Sequence, residues 1–181
     1  MTFQQKLIII SALAALIGVA VLMRSPVSTS SPGRVTSRVG GIVAVWLAVV
    51  AGALVVVGIV SDTFLRHLVQ VVPLIVALGL LARQSAWGVS AAAPLLAFWF
   101  LVMCAIWLFL LGVARIVTGT FTVAEITLTV VIGVACLLGL GTASRRGSTI
   151  SFGARIGTIA AFAILQFAAM WLSVQPFITR R

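Results

Sequence analysis

The chain is 181 residues long, 62% hydrophobic and 8% charged, with a mean hydropathy of +1.31. A soluble domain is about half apolar and roughly a quarter charged, so this chain has too few polar side chains to cover a surface in water. Its net charge of +10 comes from 12 basic residues set against Asp62 and Glu125 alone; the basic residues stand between apolar blocks with no aromatic-interleaved patch, which reads as positive flanks at anionic headgroups and not as a nucleic-acid surface.

Six apolar blocks follow one another, each close to the ~20 residues that cross a ~30 Å hydrocarbon core at 1.5 Å per residue. The first, residues 7–23, lies between Lys6 and Arg24. A lysine before an apolar run resembles the start of a secretory signal, but the run ends without a small-x-small cleavage site, so an uncleaved helix is expected. The polar stretch from Ser25 to Gly33 reads as a loop. The second block, residues 41–60, carries Ala44, Ala48 and Gly52 at four-residue spacing and closes at Ser61 and Asp62. The third, residues 65–81, has Arg66, His67 and Gln70 in its first turns and Pro73 near its middle. Its uninterrupted apolar part is short, so a re-entrant or kinked segment is the alternative to a full span there. Arg66, Gln70, Pro73 and Ala77 share one helical face. Pro73 removes a backbone donor and frees a carbonyl one turn back, which predicts a kink or local unwinding near Gln70.

The fourth block, residues 91–114, is rich in aromatics. The fifth, residues 121–140, carries Glu125 within a stripe formed by Thr118, Thr122, Glu125, Thr129, Gly133 and Cys136, spaced to lie on one face. A carboxylate in hydrocarbon is costly, so this face is expected to look inward. The sixth, residues 154–174, carries the intramembrane Gln166 and is preceded by Gly153; with Gly157 and Ala161 it forms a small-residue stripe that includes a GxxxG. Such stripes let helix backbones approach closely, and internal packing is the use expected for both of them here.

Trp46 and Arg83 are 37 positions apart, and Trp107 and Arg145 are 38 apart, with similar Leu-Gly runs before each Arg. Asp62 and Glu125 fall near the turns of these two stretches. A repeated helical hairpin in parallel orientation is one reading; chance alignment of Leu, Gly, Ala and Val is the other.

Catalytic signatures are missing from the sequence. His67 is the sole histidine, so two-histidine haem ligation within one chain is impossible and a zinc site is not expected. No GxSxG, Walker A or GxGxxG run occurs. Cys104 and Cys136 lie inside apolar blocks with no CxxC and read as small hydrophobes. The expectation is a non-enzymatic protein with no catalytic residue, cofactor or metal.

The fold expected is therefore an all-α, polytopic bundle of six spans, one integral membrane domain in a bacterial-type inner membrane. Two functions suit it. The first is an accessory or assembly subunit or scaffold, partnered by other membrane subunits or by copies of itself. The second is a small oligomeric transporter or channel that uses a polar face around Glu125, with Arg66, Gln70, Thr129 and Gln166 completing the site. In a six-span topology Asp62, Arg66, His67, Arg115 and Glu125 reach one membrane boundary and Arg155 the other, so Glu125 is expected to pair with Arg66 or Arg115 and not Arg155, with Arg66 preferred because its stripe with Gln70 turns it toward the bundle. The loops after the first, third and fifth helices hold Arg24, Arg34, Arg38, Arg83, Arg145, Arg146 and Arg155, against Lys6, Arg66, Arg115, Arg180 and Arg181 on the other side. Seven against five places the first set in the cytoplasm and both termini outside.

Overall fold

The structure, a computed structural model, describes residues 2–23, 35–114, 119–145 and 150–179. Six long helices carry the chain: α1 (Phe3–Met23), α2 (Val35–Val60), α3 (Phe64–Ala82), α4 (Gly88–Leu110), α5 (Val123–Ala143) and α6 (Phe152–Ser173), followed by the single turn α7 (Pro176–Thr179). Each of the six is long and apolar enough to cross a membrane, and no strand occurs among the described residues. Large apolar side chains such as Leu16, Ile59, Ile75 and Ile164 point outward. In water that would be costly, whereas against acyl chains it is neutral. The protein is an all-α, multi-pass membrane bundle.

The helices begin and end where local chemistry dictates. Three of the first four close with a Schellman motif. After α2, Thr63 N–H donates to Gly58 O (2.9 Å) and Asp62 N–H to Ile59 O (3.3 Å), with Asp62 in the left-handed region at φ 52°. After α3, Ser85 N–H and Gln84 N–H do the same for Leu80 O and Leu81 O, with Gln84 at φ 52°. After α4 the left-handed position falls to Gly112, at φ 72°. That glycine explains why the fourth helix stops at Leu110 and not at residue 114 as expected. Gln84 lacks glycine's freedom at such an angle. Gln84→Gly should therefore raise stability by about 1 kcal/mol, read as a higher unfolding midpoint in detergent; an unchanged or lower midpoint contradicts this.

In the bundle α4 lies at the centre and packs against each of the other five long helices. The others form a ring in the order α1, α6, α3, α2, α5, which closes through a slight contact between α5 and α1. Every residue of α4 from Gly88 to Trp99 is buried. Small residues make this possible: Gly18 of α1 brings its backbone onto Pro94, where an added Cβ would meet Pro94 N at 3.3 Å. At the same end the Arg155 guanidinium on α6 donates to the Leu22 carbonyl in the last turn of α1, where a cation also suits the helix dipole.

Two expectations need correction. The small-residue stripes do not fill internal seams. Ala48 and Gly52 on α2 and Gly153, Gly157 and Ala161 on α6 are exposed, and a Cβ added at Gly52, Gly153 or Gly157 would meet nothing within 4 Å; of the named small residues only Ala44 packs partly against the core. The reason lies in the same helix. Gln166 is fully buried, because an amide facing lipid is costly. At about 100° per residue Gly157 lies half a turn round α6 from Gln166, so burying the amide turns the glycines outward. Second, of the kink or local unwinding expected near Gln70, the unwinding does not occur: α3 is continuous α-helix through Pro73. As for the suggested hairpin repeat, Trp46 sits in the middle of α2 while Trp107 sits in the last turn of α4. The equal spacing to the two arginines therefore does not correspond to equal places in the two hairpins.

Candidate functional site: a cavity at one end of the bundle

Where α1, α3 and α5 begin and α2, α4 and α6 end, the ring stands away from α4 and leaves a cavity of about 1070 Å³. That is at or above the top of the roughly 300–1,000 Å³ typical of small-molecule sites. Its deepest lining residues, Leu54, Gln70, Ile132 and Phe98, lie roughly 9, 9, 14 and 18 Å inside their helices at 1.5 Å per residue, so the lining reaches the middle of α5 and α4. Beyond them the buried first half of α4 fills the bundle. The cavity is one-ended.

Its mouth gathers the ionisable residues of this membrane boundary. Lys6 comes from α1, Asp62 from the α2–α3 turn, Arg66 and His67 from α3, and Glu125 from α5. Gln70 and Thr129 lie deeper. The inward stripe expected on α5 is observed from Glu125 onward: Thr129, Gly133 and Cys136 are buried and Glu125 is half-buried, whereas Thr122, at the helix N-cap, is exposed. On α3, Gln70, Pro73 and Ala77 are likewise buried. Thr118 and Arg115 lie outside the described residues.

The expected Glu125–Arg66 ion pair does not form. Glu125 instead folds back on its own helix start. Its Oε2 accepts from Thr122 N–H (2.7 Å) and from Thr122 Oγ1 (2.8 Å), while Glu125 N–H donates to Thr122 Oγ1 (3.3 Å), a complete capping box. This satisfies orphan donors in the first turn of α5 and sets a negative charge at the positive end of its dipole. The signal was present in the sequence, as Thr122-Val123-Ala124-Glu125 has the T-x-x-E spacing. The half-buried Arg66 has no hydrogen-bond or ion-pair partner among the described residues. Between them, His67 interacts electrostatically with both Arg66 and Glu125, and its Nδ1 lies 3.1 Å from Thr63 Oγ1.

A polar seam joins the first turns of α3 to the last turns of α6. Gln70 Nε2 donates to Ser173 Oγ (2.9 Å), Ser173 Oγ to Met170 O (2.8 Å), and Gln166 Nε2 reaches Gln70 O at 3.5 Å. The Gln70 carbonyl belongs to the turn before Pro73, where a proline disturbs the helical ladder. Gln166 is thus a packing partner of α3, and unlike Gln70 it does not line the cavity. Thr129 is also in use, since Trp107 Nε1 donates to its Oγ1 (3.0 Å), which donates in turn to Ile126 O (2.7 Å).

The lower wall is apolar and aromatic: Phe98, Trp99, Met103, Ile132 and Met170. Phe98 and Trp99 meet edge to face, with ring centroids 5.7 Å apart and planes at 87°, a favoured geometry. Trp99 is 3% exposed and its indole Nε1 has no hydrogen-bond partner. Apolar side chains in a membrane helix look alike whether they face core, lipid or cavity, so the sequence offers no signal for this wall. Among the described residues no three His, Cys, Asp or Glu side chains come together.

Compared with protein-family models, with curated proteins and with solved structures, the chain finds no significant match.

Proposed function

We propose that the chain is a small non-enzymatic transporter of a bacterial-type inner membrane, and that the one-ended cavity is its substrate site. The observation that carries this reading is the convergence of charged and polar side chains from four chain segments on a hollow whose lining reaches Phe98 and Ile132, at the middle of α4 and α5. Intramembrane charges that line a hydrated hollow are the usual mark of a solute path, and transporter sites lie near mid-depth and are reached from one side at a time. An uninterrupted channel fits less well, because the packed first half of α4 lies below the cavity. With the orientation derived from the basic residues, the cavity opens to the outer side.

Side-specific labelling tests it. Val102, half-buried and in the cavity wall one turn above Phe98, is replaced by cysteine in a Cys104→Ala, Cys136→Ala background. The reconstituted protein is then treated with a membrane-impermeant thiol reagent from either side. Ready reaction from the cavity side and slower reaction from the other side are expected. No reaction from either side, in a protein that stays folded, refutes the reading.

The role of accessory or assembly subunit draws on a different observation, the outward glycines of α6. Exposed small residues at four-residue spacing offer a close-packing face to another helix. On this reading Gly157→Leu leaves the unfolding midpoint of the bundle unchanged and removes a fixed-stoichiometry partner or second copy in cross-linking. A loss of fold in this variant would show that Gly157 has an internal neighbour after all.

A further inference from the structure

The charges at the cavity mouth are held apart, and that separation specifies a ligand. Arg66 on α3 and Glu125 on α5 line the same hollow, yet no ion pair joins them. Opposite charges that share a partly desolvated site ordinarily gain by pairing. Here Glu125 is tied by Oε2 to Thr122 N–H and Oγ1, which fixes its carboxylate at the start of α5. Its Oε1 has no hydrogen-bond partner among the described residues. The Arg66 guanidinium has no acceptor for its five donors among the described residues. A guanidinium matches the two oxygens of a carboxylate or phosphate, and a carboxylate accepts from an ammonium. Below both lies the apolar wall of Phe98, Trp99 and Met103.

We infer that the cavity binds a zwitterion with an apolar body, its anionic group on Arg66, its ammonium on Glu125, and its hydrocarbon part against Phe98, Trp99 and Met103. This rests on the reading of the cavity as a substrate site and names the class of substrate. A free α-amino acid with an apolar side chain and a lipid with a phosphoethanolamine headgroup share this chemistry. The other charges do not displace the assignment. Asp62 is exposed on its turn, Lys6 on α1 is engaged in an interaction of its own, and His67 interacts electrostatically with both Arg66 and Glu125.

The test measures binding to the full chain in phosphatidylcholine nanodiscs, followed by tryptophan fluorescence and thermal unfolding. The probes are phenylalanine and its two halves, 3-phenylpropionate and 2-phenylethylamine, with a short-chain phosphatidylethanolamine as the lipid arm. Phenylalanine, or the lipid if the headgroup is the source, is expected to bind at least tenfold more tightly than either half. Arg66→Gln and Glu125→Gln should each remove that advantage. Glutamine serves the capping box as glutamate does, so Glu125→Gln retains the helix start, and circular dichroism checks this. A half-molecule that binds as tightly as the zwitterions overturns the inference, as does a zwitterion whose affinity survives both substitutions, or no binding by any probe. The labelling of Val102→Cys separates the two failures: if that cysteine reacts while no zwitterion is preferred, the site stands and only the ligand class falls.

Discussion

Gly133→Ala should destabilise the bundle by about 2 kcal/mol, although alanine is the better helix former by ~1 kcal/mol. A Cβ at this position would collide with Cη2 of Trp107 and lie 2.7 Å from its Cζ2. The indole ring of α4 rests directly on the backbone of α5, and its Nε1 is fixed by the bond to Thr129 Oγ1. The ring cannot rotate away without losing that bond. The same change at Gly141, on the same helix but with nothing within 4 Å of an added Cβ, should be neutral or stabilising by a few tenths to ~1 kcal/mol. The pair of variants thus separates packing from propensity. Trp107→Phe removes the atoms that collide, so Gly133→Ala should cost less in that background than in the parent, a coupling that a double-mutant cycle in detergent measures. Equal midpoints for Gly133→Ala and Gly141→Ala would mean that the ring does not rest on Gly133.

This contact shows what could and could not be read from the chain. Hydropathy placed six spans because length and apolar content are properties of each helix by itself. The inward faces of α3 and α5 were legible for a related reason: Gln70 and Glu125 carry a large penalty in hydrocarbon, which orients the helix that holds them. Spacing alone puts Gly157 at an internal seam; weighed against Gln166, the same residues point outward. Which helix stands at the centre was not legible. The most buried stretch, Gly88–Trp99, differs little in composition from lipid-facing segments, because apolar side chains have no preference between lipid and protein. The cavity wall was hidden for the same reason. The close approaches that do order the ring, Gly18 on Pro94 and Gly133 under Trp107, each involve two distant residues whose partnership no local pattern records. The fate of Glu125 was decided locally, three residues away, by a capping motif that outcompeted a longer-range cation.

That local decision makes Glu125→Ala and Glu125→Gln diverge. Alanine loses the side-chain half of the capping box, leaving Thr122 N–H without its carboxylate acceptor at the start of α5, while the bond from the residue 125 N–H to Thr122 Oγ1 remains. The expected cost is about 1–2 kcal/mol. Glutamine can occupy the same position and accept the same bond, so Glu125→Gln should lie within ~0.5 kcal/mol of the parent in the absence of ligand. Had Glu125 been the partner of Arg66, removing the carboxylate alone would have stranded a half-buried cation, a loss of ~3–5 kcal/mol in the fully buried case, and Arg66→Gln would have restored much of it. Without that pair, Arg66→Gln and Glu125→Gln should add, with a coupling energy below ~0.5 kcal/mol. Unfolding of the four proteins in mixed micelles gives both quantities. A strong recovery in the double variant would show that Arg66 and Glu125 do meet in the membrane. Additive, small effects on stability together with a large loss of ligand binding would place both residues at the cavity mouth for the solute and not for the fold.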